Sequence, residues 1–215
     1  MSAKNLQLER TVFFCDAVVA IAITLLAIDL KAPFVANGNL TFENLLQEWK
    51  IFLAFLLSFF NIANFWKTHH TFFAYIKKMD EKLLWFNILW LLFIILIPFS
   101  SSLVSDYFSD NTAMLFYSAN ILMISSFQNL IWDYASLKDG FIIHDDHDEE
   151  SRSHIRIFCN LEMINSGLAV ACSLFFPILA FIILFTKFPM LLVARIIYTG
   201  KAKKDFMNKL KKNNG

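Results

Sequence analysis

Three groups of side chains in this chain are of types that do chemistry. The first lies in residues 10–33, "RTVFFCDAVVAIAITLLAIDLKAP", where Asp16 and Thr24 interrupt an otherwise apolar run. A carboxylate and a hydroxyl in such a run can relay protons or meet a passing cation. The second is residues 61–73, "NIANFWKTHHTFF". There Trp66, His69, His70 and Phe73 recur on one helical stripe, and Asn61, Asn64 and Thr68 or Thr71 form another. The third is "HDDHDEE", residues 144–150, whose imidazoles and carboxylates are borderline and hard metal ligands. A proton relay would use Asp16 with His69 or His70. An intramembrane metal hydrolase fits poorly, because adjacent histidines lack the i, i+4 ligand spacing and the accompanying Glu of such sites. The acidic stretch reads as a solvated loop rather than a metal or pH-sensing site.

The elements that must position these groups are set by composition. The chain has 215 residues, is 57% hydrophobic, and carries 25 Phe against only 5 Gly. Mean hydropathy is +0.53. A soluble domain of this length needs no such apolar area, and several runs approach the roughly 20 residues that cross a bilayer as helix. The reading is an all-α integral membrane protein of six transmembrane helices. The spans fall near residues 11–30, 51–75, 83–104 (containing Pro98) and 112–137, with residues 155–197 too long for one. That last region divides near residues 173–176, with Ser173 as a cap and Pro177 in the first turn of the final helix. Residues 1–200 form one transmembrane unit, and residues 201–215 a basic tail.

Charge then orients the unit. Lys201, Lys203, Lys204, Lys209, Lys211 and Lys212 follow the last span, and Lys77, Lys78 and Lys82 follow the second. The loop after the third has Asp106 and Asp110 and no basic residue. An even span count puts both termini on one side, and the basic excess makes it cytoplasmic in a multi-pass cell-membrane protein. The acidic loop at 144–150 would share that side, a mild conflict because acidic residues contribute little to the rule. The basic tail could also bind anionic headgroups. The N-terminal run imitates a signal peptide, but Asp16 interrupts it and the apolar stretch continues past the cleavage-like Ala20-Ile21-Ala22, so it reads as a retained helix. A net charge of +1 gives no sign of nucleic acid. Cys15, Cys159 and Cys172 are widely spaced in or beside apolar runs and read as buried free thiols.

A charge inside the bilayer costs about 2.5–3.5 kcal/mol at its centre on insertion scales, so Asp16 needs a partner. Arg10, six residues away, lies on another side of the helix. The histidine pair is the expected neighbour, with Asn87 and Trp90 on the third span, and Pro98 freeing a carbonyl near its outer end. On the first helix, Ile21, Thr24, Leu25 and Ile28 fall within a stripe of about 100°, with Asp16 nearly opposite. Periodicity alone leaves that stripe free to be packing, lipid contact or a pore wall.

Here the residues resemble a family. "RTVFFCD" (residues 10–16) is similar to the Arg-x-x-x-Phe-Ser-Asp signature of the transmembrane protein 175 family of potassium channels. The likeness continues through "AVVAIAITLLAIDLKAP", "NFWKTHHTFF" and "NILWLLFIILIPFSSSL", covering the first three spans, while the last three match in length and hydropathy only. The resemblance implies a prokaryotic six-helix unit assembled as a homotetramer around a central potassium pore lined by the first helix. It lacks the Thr-Val-Gly-Tyr-Gly filter, and none occurs in this chain. It implies Ile21 as the constriction, with Ile23 as the competing register, Thr24 as the hydroxyl layer, and Leu25 and Ile28 extending the narrow section. It further implies a holding network of Arg10, Phe14, Cys15, Asp16, Trp66, His69, His70 and Asn87, with Cys15 standing where the family has serine. A thiol bonds more weakly than a hydroxyl, so the anchor is expected to rest on the other members. No cofactor, metal or enzymatic activity is implied; the partners are K+ ions, lipid and further copies of the chain. The alternative is a proton-coupled transporter relaying through Asp16 and His69 or His70, against which no internal repeat or matching pair of broken helices is found.

Overall fold

The computed structural model describes residues 3–31, 38–142 and 149–189. The chemistry considered for the acidic stretch and for the basic tail falls outside these residues or on side chains that are not described. The described chain is all helical: α1 (Ala3–Leu25), α2 (Phe42–Gln47), α3 (Trp49–Tyr75), α4 (Glu81–Ile95), α5 (Ile97–Asp106), α6 (Asn111–Leu137), α7 (Glu149–Ser173) and α8 (Pro177–Pro189).

Five stretches are long and apolar enough to cross a membrane: Leu6–Asp29, Trp49–Tyr75, Glu81–Asp106, Asn111–Leu137 and Ile155–Ser173. The division between α7 and α8 falls between Ser173 and Pro177, because proline has no amide to continue a helix and is well suited to a first turn. Ser173 is not the expected cap of α8 but the last residue of α7, its hydroxyl donating back to the Val170 carbonyl at 2.7 Å. The described part of α8 is apolar but shorter than a span. The third span is two helices, since α4 stops at Leu96 and α5 restarts with Pro98 in its first turn. The short α2 lies in the first loop, and its signal is a reciprocal capping box between Thr41 and Asn44.

The ends of the spans are fixed by carboxylate caps. Asp110 accepts from the amides of Thr112 and Ala113 at the start of α6, at 2.8 and 3.0 Å, which holds its carboxyl below the usual range. Asp80 accepts from Leu83 N at the start of α4 and also from Tyr134 (2.5 Å) and Lys138 (2.6 Å) of the α6 end. Partial burial alone would raise its pKa; the bonds from Lys138, Tyr134 and Leu83 outweigh that and hold it at about 2. At the opposite end, the Trp49 ring meets Phe108 edge-on and Asn111 donates to the carbonyl of Leu174 at 2.7 Å.

Packing is uneven. α6 is the hub, lying against α4, α5 and α7, and α3 lies along α5. Small hydroxyls glue these helices: Ser58 donates to Ser101 at 2.8 Å and shares a 3.0 Å bond with Tyr117. α1 sits at the side of this bundle, touching α3, α4 and α5. It buries one narrow stripe, Cys15, Val19, Ala22 and Leu26, at spacings of four, three and four.

Candidate functional site

The buried stripe of α1 fixes where everything else on that helix points. At about 100° per residue, Ile21, Thr24 and Ile28 must lie on the far side. Ile21 is 60% exposed and Ile28 66%, although both are strongly apolar. Leu25, at the edge of the same face, is 41% exposed. Ile23 is different: it is half-buried and packs against the core. Thr24 donates its hydroxyl proton to the carbonyl of Ile21 at 2.8 Å. The oxygen lone pairs are thereby left facing outward, available to a cation or its water. One turn on, the α-helix tightens into a 3₁₀ turn over Leu26–Asp29.

The N-terminal half of α1 is held by two polar contacts. Asn87 of α4 donates to the Cys15 sulfur at 2.9 Å, and its carbonyl oxygen meets Nε2 of His69 at 2.7 Å. Since that oxygen only accepts, His69 carries its proton on Nε2. His69 also stacks on Trp90 at 4.3 Å and 15°. Separately, Trp66 donates to the Asp16 carboxylate at 2.9 Å, with the His70 ring beside Trp66 at 5.7 Å. The sequence-based pairing of Asp16 with a histidine is therefore not formed. The partner is the indole, because Asp16 faces Trp66 one turn before the buried His69, and His69 is committed to Asn87.

Two members expected in the network stand outside both contacts. Arg10 and Phe14 project from the outward side of α1, where they line an open groove of about 480 Å³ with Leu84 and Ile88. Arg10 has no hydrogen bond or ion pair among the described residues. Cys15, by contrast, is buried inside the bracket and in direct contact with Asn87.

A second polar cluster lies away from α1, between α3, α6, α7 and α8. Lys187 of α8 and Glu162 of α7 form an ion pair at 3.1 Å, with side-chain exposures of only 1% and 3%. Lys187 also donates to Asn61 at 2.7 Å and sits 4.3 Å over the Phe65 ring. Glu162 accepts from Asn64 and, at 3.5 Å, from Gln128. The argument that picks out Asp16 applies equally to these two, charges of opposite sign within the consecutive apolar stretches Ile155–Ser173 and Pro177–Pro189.

The chain is similar to several known proteins. A family model described as "Endosomal/lysosomal potassium channel TMEM175" matches residues 10–98. A potassium channel of Chamaesiphon minutus is 33% identical over 135 residues, covering 60% of this chain and 66% of that protein. A potassium channel of Streptomyces collinus is 30% identical, covering 57% of this chain and 62% of that one. The matched regions thus span just under two thirds of those relatives. An endosomal/lysosomal proton channel TMEM175 of Bos taurus is 28% identical over 179 residues, 77% of this chain but 37% of its own. The crystal structure of a lysosomal potassium-selective channel TMEM175 homolog from Chamaesiphon minutus superimposes with a TM-score of 0.73 at 26% identity, covering 91% of this chain and 97% of that one.

Proposed function

This chain belongs to the TMEM175 family, and from that premise we propose that it is a potassium-permeable channel of the cell membrane. In this reading four copies, each with six spans and both termini cytoplasmic, surround a pore lined by α1. The observation that carries it is the outward stripe of α1. Large apolar side chains, Ile21 and Ile28, stand exposed opposite a buried face, with one hydroxyl between them. Such a face is unfinished in a single subunit and complete when four meet at an axis.

The geometry suits a hydrophobic constriction. A ring of four Ile21 side chains expels water from a narrow passage, and a dry gap bars ions. The exposure of Ile21 and the packing of Ile23 against the core support the Ile21 register. One turn along, four Thr24 oxygens present lone pairs, because their protons are bound to the Ile21 carbonyls. They coordinate a cation through water and only weakly. Potassium surrenders its hydration more cheaply than sodium, so the layer favours potassium modestly, less than a ring of backbone carbonyls does. Leu25 and Ile28 extend the narrow section.

A relay-based transporter is less well supported. Asp16 and His69 are bonded to different partners, Trp66 and Asn87, and share no hydrogen bond. Flux into liposomes tests the choice. Purified protein should pass potassium without a proton gradient, with sodium slower but measurable, and Ile21→Ala should raise the flux. Near-complete exclusion of sodium would sink the hydroxyl-layer account. Flux that requires a proton gradient would replace the channel with the transporter.

A further inference from the structure

The Glu162–Lys187 pair sits deep in the membrane. Lys187 lies ten residues beyond Pro177, Glu162 eleven before Ser173 and Asn61 twelve after Trp49. At about 1.5 Å per residue each is roughly 15–18 Å from the same end of the bundle, which is near the middle of a hydrocarbon core about 30 Å thick. Four helices close around it: α3 with Asn61, Asn64 and Phe65, α6 with Gln128, α7 with Glu162, and α8 with Lys187.

A buried ion pair is a poor source of net stability, since its desolvation offsets most of its attraction. What it supplies is geometry. Both charges are served by carboxamides of α3, so sliding or rotating α3 would strip two mid-membrane charges of partners at once. The adjoining face of the same helix carries Trp66 and His69, which hold α1 through Asp16 and through Asn87 to Cys15. Trp90, stacked on His69, donates to Gln128 at 3.3 Å and so ties α4 to the same cluster.

We infer that Glu162 and Lys187 are positioning residues for conduction: they fix α3 as the post from which α1 is hung, and so set the resting position of the Ile21 constriction. This rests on α1 being the pore wall. The pair touches neither the ion path nor α1, and acts through the α3 amides.

The test uses the full-length assembly in liposomes, reading potassium flux per tetramer alongside the melting temperature of the tetramer. Two variants are compared with wild type. Glu162→Gln with Lys187→Met removes both charges and leaves neither orphaned. Asn64→Leu keeps the ion pair and cuts one α3 contact. Both should assemble, and both should change flux by about 2- to 30-fold, the range expected when a coupled network is loosened. A merely structural pair would move melting and leave the flux of assembled tetramers at the wild-type value; that result overturns the inference. If the double variant does not assemble, Asn64→Leu decides alone. A wild-type protein that passes no potassium brings down the channel reading and this inference with it, whereas conducting wild type with unchanged variants brings down this inference only.

Discussion

The two polar clusters of this bundle differ in charge, burial and reach. The bracket on α1 uses uncharged partners, a thiol, a carboxamide, an imidazole and an indole, with one carboxylate at the half-open edge. The cluster between α3, α6, α7 and α8 encloses a full ion pair and leaves almost no surface. The contrast matches how each helix is packed. α1 buries a four-residue stripe, whereas α6 is gripped on several sides. α1 is held by contacts that cost little to part. The bundle beside it is held by groups that cannot part without leaving a buried charge unpaired. The lesson is that mobility and rigidity can be assigned from the cost of breaking each polar contact.

The sharpest way to break the comparison is to orphan one charge. Glu162→Leu leaves Lys187 with Asn61 and a ring face, and takes the acceptor from Asn64 and Gln128. Breaking a buried pair on one side costs about 3–5 kcal/mol, so the assembled protein should be largely lost on size-exclusion chromatography. Full recovery of folded protein would mean that water or lipid headgroups reach the site, and the contrast in burial would be false.

On the α1 side the expected effect is smaller. Asp16→Ala removes the charge-assisted hydrogen bond from the exposed Trp66 N–H, a loss of up to about 1.5–3 kcal/mol. Tetramer yield and melting temperature should fall while the potassium-to-sodium ratio of the surviving protein stays put. An intact tetramer with altered ion preference would place Asp16 in the ion path instead. Cys15→Ser is smaller still and of opposite sign. A hydroxyl accepts the Asn87 N–H better than a thiol does, so melting should rise by the equivalent of about 0.5–1.5 kcal/mol. A fall would mean that the sulfur's bulk in the core counts for more than its bonding.

Much of this architecture is legible in the sequence. The spans stand out because apolar runs end at Asp80, Asp110 and Pro177, residues whose local chemistry starts helices whatever the tertiary fold. The faces of α1 are legible because a 3.6-residue period separates Ile21 and Thr24 from Cys15 and Val19. Partner choice is not legible. Asp16 has an indole and two imidazoles within one turn of α3, and which it meets depends on the rotation of α3, which is fixed by tertiary packing that the local sequence does not carry. Glu162 and Lys187 could be flagged singly as intramembrane charges, but their shared carboxamides on α3 lie about a hundred residues away and only the fold brings them together.

The smallest effect belongs to a third polar group, at the end of the bundle where α4 starts and α6 finishes, and it calibrates the other two. Asp80 joins Lys138 and Tyr134 across α4 and α6, but its side chain is 30% exposed and that of Lys138 is 44%. Solvent screens such a pair heavily. The sign follows from the carboxyl. Its folded pKa, about 2, lies below the ordinary value of 3.8, so whatever stability it adds is present above that value and is lost as pH falls toward 2. Lys138 is shifted upward, so its side of the contact is lost only on the alkaline side of its ordinary value of 10.5. Between those limits the clasp is indifferent to pH. The difference in melting temperature between wild type and Asp80→Asn should therefore be small and flat from about pH 8 to pH 5, and should shrink only below about pH 4. A difference that faded between pH 7 and 5 would show that another group, nearer neutrality, holds the clasp.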